Sequence, residues 1–340
     1  LCLLFREKFH LPSFTGSKQP DIIKSTVERN VLPVADGICE KTKFINHKKG
    51  KTYMRSEKEM LSLIEEIALE DENIRAAYLE GSRVNPNVTK DLFQDYDVVY
   101  IVETTRPYRE NKEWITRFGE ILYMNYPEDN VHYPSDVENC YGWQIQCGDG
   151  NRLDLHVCTR DYALERLEMY RVLVDKDHIM PAKEDTSEER YWVKKPTERE
   201  FQCTCMDFWW CFNNVAKEMW RQEIPYVMEH LDMVLRPQLE LMMEWKIGME
   251  HQFAVNVGKS GKYLSRYLSR EEYRSFLATY SSAEPEAIWK SVFIMCELFD
   301  RTAKEVSREL GFQYDQENAD NSTAFLRRVK DLPLDAERIM

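Results

Sequence analysis

The chain has 340 residues, enough for two domains with separate cores, and carries 59 acidic against 46 basic side chains, a net charge of −13. The charge is uneven: residues 1–53 hold 10 Lys+Arg against 5 Asp+Glu, while the remainder holds 36 against 54, a net −18. A body this acidic argues against nucleic acid, whose phosphates need a positive surface, and suits a polycationic small molecule that a negative cleft would steer inward.

Nine cysteines, an odd number without a CxxC pair, fit free thiols of a reducing cytosol better than a disulfide scaffold or a zinc site. No apolar run approaches ~18 residues, so no membrane span is expected. The opening Leu1-Cys2-Leu3-Leu4-Phe5 is too short for a secretory signal.

In chain order, residues 1–53 are lysine-rich and punctuated by Pro12, Gly16, Pro20, Pro33, Gly37 and Gly50. They read as a poorly ordered basic extension, with Met54 as a natural start. Ser56-Glu57-Lys58-Glu59 is a capping box, and Met60, Leu61, Leu63, Ile64, Ile67 and Ala68 then recur at helical spacing. Asp71-Glu72-Asn73 ends that helix. Strands are expected over 74–79, 96–102 and 121–126, with a crossover helix over 111–118. The segments 141–147 and 152–157 flank Gly148-Asp149-Gly150, a hairpin turn. After a polar link over 183–190 the pattern turns helical from Pro196, placed at a helix N1 position, almost to Leu310. Most of its aromatics (Phe208, Trp209, Trp210, Phe212, Trp220, Trp245, Trp289) are expected in a bundle core. The tail beyond Tyr314 is polar and expected to be loose.

The chemistry concentrates between Glu80 and Val102. Side chains two apart on a strand share a face, so Asp95 and Asp97 project together while Tyr96 and Val98 turn into a core. Two carboxylates this close raise each other's pKa unless a cation lies between them, and hard Mg²⁺ prefers such oxygens. Upstream, Gly81-Ser82 offers a tight turn with free N–H groups and a hydroxyl, suited to phosphate. On the second hairpin strand Arg152, Asp154 and His156 share one face and Leu153, Leu155 and Val157 the other.

The order Gly-Ser, polar loop, Asp-x-Asp on an apolar strand resembles the nucleotidyltransferase superfamily. Met54–Met60, Leu79-Glu80-Gly81-Ser82-Arg83, Phe93-Gln94-Asp95-Tyr96-Asp97, Tyr191–Phe201 and Val257-Gly258-Lys259 are similar to the aminoglycoside 6-adenylyltransferase family, which modifies streptomycin. The likeness runs from Met54 to about Gln313.

That resemblance implies an α+β protein, a nucleotidyltransferase-type mixed sheet with helices over 54–182 and a helical-bundle substrate domain over 183–313, followed by a loose polar tail over 314–340. It implies Mg²⁺-dependent transfer of AMP from ATP to a hydroxyl of a cationic aminoglycoside, the 6-hydroxyl of streptomycin, and so antibiotic resistance. Asp154 matches the third metal carboxylate, so Asp95, Asp97 and Asp154 would hold magnesium, and three carboxylates can hold two ions ~3.5–4 Å apart. Gly81, Ser82 and Arg83 would grip the phosphates. Lys217, Lys259 and Lys262 are candidates to neutralise the triphosphate and the departing pyrophosphate. Gly258-Lys259-Ser260 is not a P-loop, because Phe253 stands where its first glycine belongs. Asp207 in Met206-Asp207-Phe208-Trp209 stands where the family has glutamate and is a candidate general base, with Glu200 its rival. His156 replaces a threonine of the relatives. These two departures keep a different acceptor open, and a non-catalytic drug or nucleotide binder is the reading from another class. Oligomeric state is not legible.

Overall fold

The computed structural model describes residues 53–132, 135–182 and 185–339. The basic extension expected over 1–53 therefore lies, but for Tyr53, outside the described residues. The chain divides into two compact units, Leu1–Thr186 and Ser187–Met340.

In the first unit Ser56 caps α1 (Glu57–Glu70) through the expected capping box, and Met60, Ile64, Ile67 and Ala68 are buried along one stripe. The cap contributes about 1 kcal/mol, and each large buried side chain roughly 1.5–3 kcal/mol. The Tyr100 hydroxyl donates to the Ile64 carbonyl at 2.7 Å, fixing the helix against the sheet.

The sheet has six strands: β1 (Ile74–Glu80), β2 (Tyr96–Val102), β3 (Ile121–Asn125), β4 (Cys140–Cys147), β5 (Arg152–Thr159) and β6 (Tyr170–Asp175), in the order β3-β4-β5-β2-β1-β6. β2 and β5 run parallel, and every other neighbouring pair is antiparallel. Alternation puts Tyr96, Val98, Tyr100, Leu153, Leu155 and Val157 into a core that also holds the α1 stripe. Val99, Ile101, Cys140 and Cys158 face a smaller core on the opposite side. β6 was not expected. It pairs with the outer edge of β1 and buries Tyr170 and Val174.

The crossover expected as one helix over 111–118 is two pieces, α2 (Arg106–Glu110) and a 3-10 turn at Trp114–Phe118. Asn111 caps the first with non-helical angles (φ −101°, ψ 86°), so the helix stops there. A short α3 (Arg160–Glu165) follows β5.

The second unit is helical: α4 (Glu198–Trp220), α5 (Ile224–His230), α6 (Arg236–Glu250), α7 (Leu264–Tyr267), α8 (Arg270–Leu277), α9 (Pro285–Leu310) and α10 (Gln316–Lys330). Pro196 is not at N1 of α4. Thr197 is the N-cap and its side chain accepts from the Glu200 N–H, so the helix starts two residues later. Phe208, on α4, stacks on Phe299 of α9 with centroids 3.6 Å apart, and most of the aromatic run is core. Trp210, 68% exposed, is not.

The tail expected to be loose beyond 314 instead forms α10, which packs on α4 and buries Ala319, Leu326 and Val329. Its surface is polar, but a narrow apolar seam is enough to hold a helix against a partner. Among the described residues no helix is long and apolar enough to cross a membrane.

Candidate active site

β1 ends at Glu80, and the chain turns at Gly81 with φ +70°, a conformation that strains any residue with a Cβ. The turn is also crowded: a Cβ on Gly81 would overlap the Asp97 carboxylate, whose Cγ would lie only 3.0 Å away. Gly81–Arg83 is one 3-10 turn, closed by Val84 N–H donating to the Gly81 carbonyl at 3.2 Å. Ser82 in it is half-buried.

Strand register then aligns an acidic row. Glu80 lies opposite Asp97 on β2, Asp97 opposite Asp154 on β5, and Asp154 opposite Gln144 on β4, whose amide donates to its carboxylate at 3.4 Å. The three acids share the sheet face that carries Tyr78, Val99 and Cys158. Burial raises the Asp97 carboxyl to about 6, helped by the charges of Asp154 and Asp95. Burial likewise raises Glu80 to about 7, with Asp97 adding to it.

Asp95 lies just ahead of β2. Arg152 bridges it to the row, with its guanidinium 3.2 Å from the Asp95 carboxylate and 2.7 Å from that of Asp154. Burial raises the Asp95 carboxyl while Arg152 pulls it back. The three aspartates do not form a group with all ligand oxygens within 4.8 Å of one another. Among the described residues that description fits Glu128, Cys140 and His156 instead.

Arg83 departs from expectation. Its guanidinium donates to the carbonyls of Asp95 (2.9 Å) and Gln94 (2.7 Å), lies 3.6 Å over the Tyr96 ring and is 3.9 Å from Glu57. With 8% of the side chain exposed it braces the loop carrying Asp95. The reason is local: the carbonyls ahead of β2 have no strand partner, and Arg83 satisfies them.

The sequence reading missed Glu80 and the bridging role of Arg152. Both had a signal, since Glu80 follows Tyr78 on the Asp97 face and Arg152 stands two residues before Asp154 on one strand.

The remaining candidates lie in the second unit. Asp207 is half-buried on α4, and Lys217 is exposed in its last turn, about 15 Å further along the axis. Lys259 and Lys262 are both exposed. They sit in a tight turn where Gly258, Ser260 and Gly261 all have positive φ. Glu200, the rival base, is taken up by the cap of α4: its carboxylate accepts from the Thr197 N–H at 2.7 Å and hydroxyl at 2.8 Å.

The family model for streptomycin adenylyltransferase matches residues 54–329. An aminoglycoside 6-adenylyltransferase of Bacillus subtilis (strain 168) is 38% identical over 265 residues, 77% of this chain and 93% of that protein. One from Staphylococcus aureus is 35% identical over 258 residues, 75% of this chain and 92% of that protein. A third, from Campylobacter jejuni, is 30% identical over 280 residues, 82% and 97%. A crystal structure of an aminoglycoside 6-adenyltransferase from Bacillus subtilis covers 82% of this chain and all of that one at 33% identity, with a TM-score of 0.42. The matched residues span the Gly81-Ser82 turn, the acidic row and the helices through α10, and the chain belongs to the streptomycin adenylyltransferase family, a family of nucleotidyltransferases.

Proposed function

We propose that this protein transfers AMP from ATP, with Mg²⁺, to a hydroxyl of an aminoglycoside, the 6-hydroxyl of streptomycin, and so confers resistance to it. The observation that carries the reading is the register pairing of Asp97 with Asp154 directly beside the Gly81 turn.

The donor chemistry of these residues suits magnesium, which would draw the three carboxylates together in place of Arg152. Asp95, Asp97 and Asp154 offer only hard carboxylate oxygens, and Arg152 already stands among them as a countercharge that a metal ion could replace. When bound, the ion would offset the charge that builds on the reacting phosphate oxygens. The chain's own residues do the rest. The Ser82 hydroxyl and the N–H groups of the Gly81–Arg83 turn bind the β- and γ-phosphates, and Arg83 keeps the Asp95 loop in place while they do so. Arg152, released from Asp154, is free to face phosphate charge. Exposed Lys217, Lys259 and Lys262 are the second unit's cations for the triphosphate and the leaving pyrophosphate.

Asp207 is the carboxylate assigned to accept the proton of the attacking hydroxyl, since Glu200 is held in a cap. The hydroxyl oxygen bonds to the α-phosphorus, the α–β bridging bond breaks, and its electron pair leaves with pyrophosphate.

The test is pyrophosphate release on incubation with ATP, Mg²⁺ and streptomycin. Asp207→Asn is expected to lower kcat roughly 10²–10⁴-fold, the usual contribution of a general base, while Glu200→Gln stays near wild type. No release with streptomycin, but release with another aminocyclitol, would move the acceptor and leave the chemistry standing. Drug binding indifferent to Mg²⁺ and ATP would make the protein a binder.

A further inference from the structure

Two residues beyond Asp154 on β5, the same sheet face changes chemistry. His156 points across β4 at Gly142, its register partner. A Cβ on Gly142 would lie 2.5 Å from His156 Cδ2 and 3.0 Å from Nε2, so glycine makes room for the imidazole to cross the strand. Beyond it, Nε2 comes within 3.7 Å of the Glu128 carboxylate, in the Pro127–Asp129 turn. Glu128 is only 10% exposed, and its Oε2 is buried with no hydrogen-bond partner. A buried carboxylate oxygen in that state costs about 1–3 kcal/mol or more, which calls for a ligand. Cys140, at the start of β4, completes the group: its sulfur, a Glu128 oxygen and a His156 nitrogen all lie within 4.8 Å of one another.

We propose that Glu128, Cys140 and His156 form a second cation site, for a thiophilic divalent metal of the zinc type, separate from the acidic row. Sulfur, imidazole and carboxylate together are the donors zinc accepts, whereas magnesium takes oxygen alone. Tetrahedral zinc with bonds of about 2.0–2.3 Å sets its ligand atoms roughly 3.3–3.8 Å apart. The His156–Glu128 separation already meets that spacing, and Cys140 needs only a side-chain adjustment of about 1 Å.

On binding, the Cys140 thiol releases its proton to solvent. Cys158, directly opposite on β5, donates its S–H to the Cys140 sulfur at 3.3 Å. That hydrogen bond, with burial, raises the Cys158 thiol and keeps it protonated. Cys158 thus orients the ligand, and the fourth position falls to water. The metal would tie the Pro127–Asp129 turn to β4 and β5.

The test uses the full chain, reduced and freed of metal, titrated with Zn²⁺ alone against a chromophoric chelator and, separately, with Co²⁺. One equivalent is expected, with a thiolate-to-cobalt absorption band and a rise in Tm on zinc addition. Cys140→Ser should abolish the band. Glu128→Gln, nearly isosteric, and His156→Thr should each weaken zinc at least about 100-fold, more than loss of a supporting group costs. Cys158→Ser should weaken it about tenfold. Asp97→Asn should keep both band and affinity. Thermal melts without metal report whether each variant folds, and Glu128→Gln decides the matter if Cys140→Ser does not. The proposal is overturned if zinc fails to bind. It is equally overturned if binding survives Glu128→Gln and His156→Thr unchanged, if it is lost in Asp97→Asn, or if Cys140 and Cys158 stay bonded under the reductant, leaving the protein two hydrogens lighter.

Discussion

Arg152 and Asp154 at the start of β5, and His156 and Cys158 further along it, share one face of one strand yet build opposite kinds of site. The first station is oxygen-only, crossed by an acidic row and neutralised by an arginine. The second is sulfur and nitrogen, with a single buried carboxylate whose Oε2 has no hydrogen-bond partner. A strand fixes only where side chains stand. What each station can hold is set by the elements laid over it, the Gly81 turn at one end and the Glu128 turn at the other.

The largest effect that would sharpen this contrast is Asp97→Asn. Losing a carboxylate that would hold the ion offsetting developing phosphate charge should cost roughly 3–4 kcal/mol, about a 10²–10³-fold fall in kcat/KM. Steady-state pyrophosphate release measures it, and wild-type turnover would break the metal assignment. Next is Gly81→Ala. The left-handed angle costs roughly 1–2 kcal/mol, and the methyl must also displace the Asp97 carboxylate. Activity should therefore fall about 10–100-fold, since small displacements of this kind cost that much, with a drop of only a few degrees in Tm. An activity loss no larger than the loss of folded protein would show that the turn only supports the fold.

The smallest effect is on pH dependence. Folded Asp97 and Glu80 keep protons up to about 6 and about 7, whereas the unfolded chain releases them at ordinary carboxylate values. From about pH 4 to about 7 the native state therefore binds more protons than the unfolded state, and stability falls as pH rises through that window. Urea midpoints of the chelated protein should show this slope, and Asp97→Asn should flatten it, because it removes one titrating acid and relieves the other. An unchanged slope would place those acids in solvent.

Much of this was legible in the sequence. β2 falls at 96–102 as its apolar alternation requires, and the Ser56 capping box starts α1 where the motif says. Two acids of the row were named, because Asp97 and Asp154 each stand near a strand mouth, and so was Asp95 just ahead of β2. The pairing that unites them was not derivable from spacing, since the parallel register of β2 on β5 joins segments more than fifty residues apart. Arg83 misled because a cation beside a glycine turn reads equally as a phosphate ligand or as a brace, and only unpaired carbonyls nearby decide. α10 misled because average polarity hides a seam of three buried residues. The Glu128 corner was out of reach, as its donors come from three separate segments with no local spacing.

Arg152 carries one further consequence. An acid patch without a counterion pushes itself apart, but here the protein supplies its own plug, tethered on the same strand. On the proposed reading, magnesium binding would be an exchange of one positive group for another, because Arg152 already pairs with Asp95 and Asp154. Nucleotide binding would then be coupled to the swing of a single side chain, and salt that weakens the Arg152 pairs should speed metal binding while weakening the hold on phosphate.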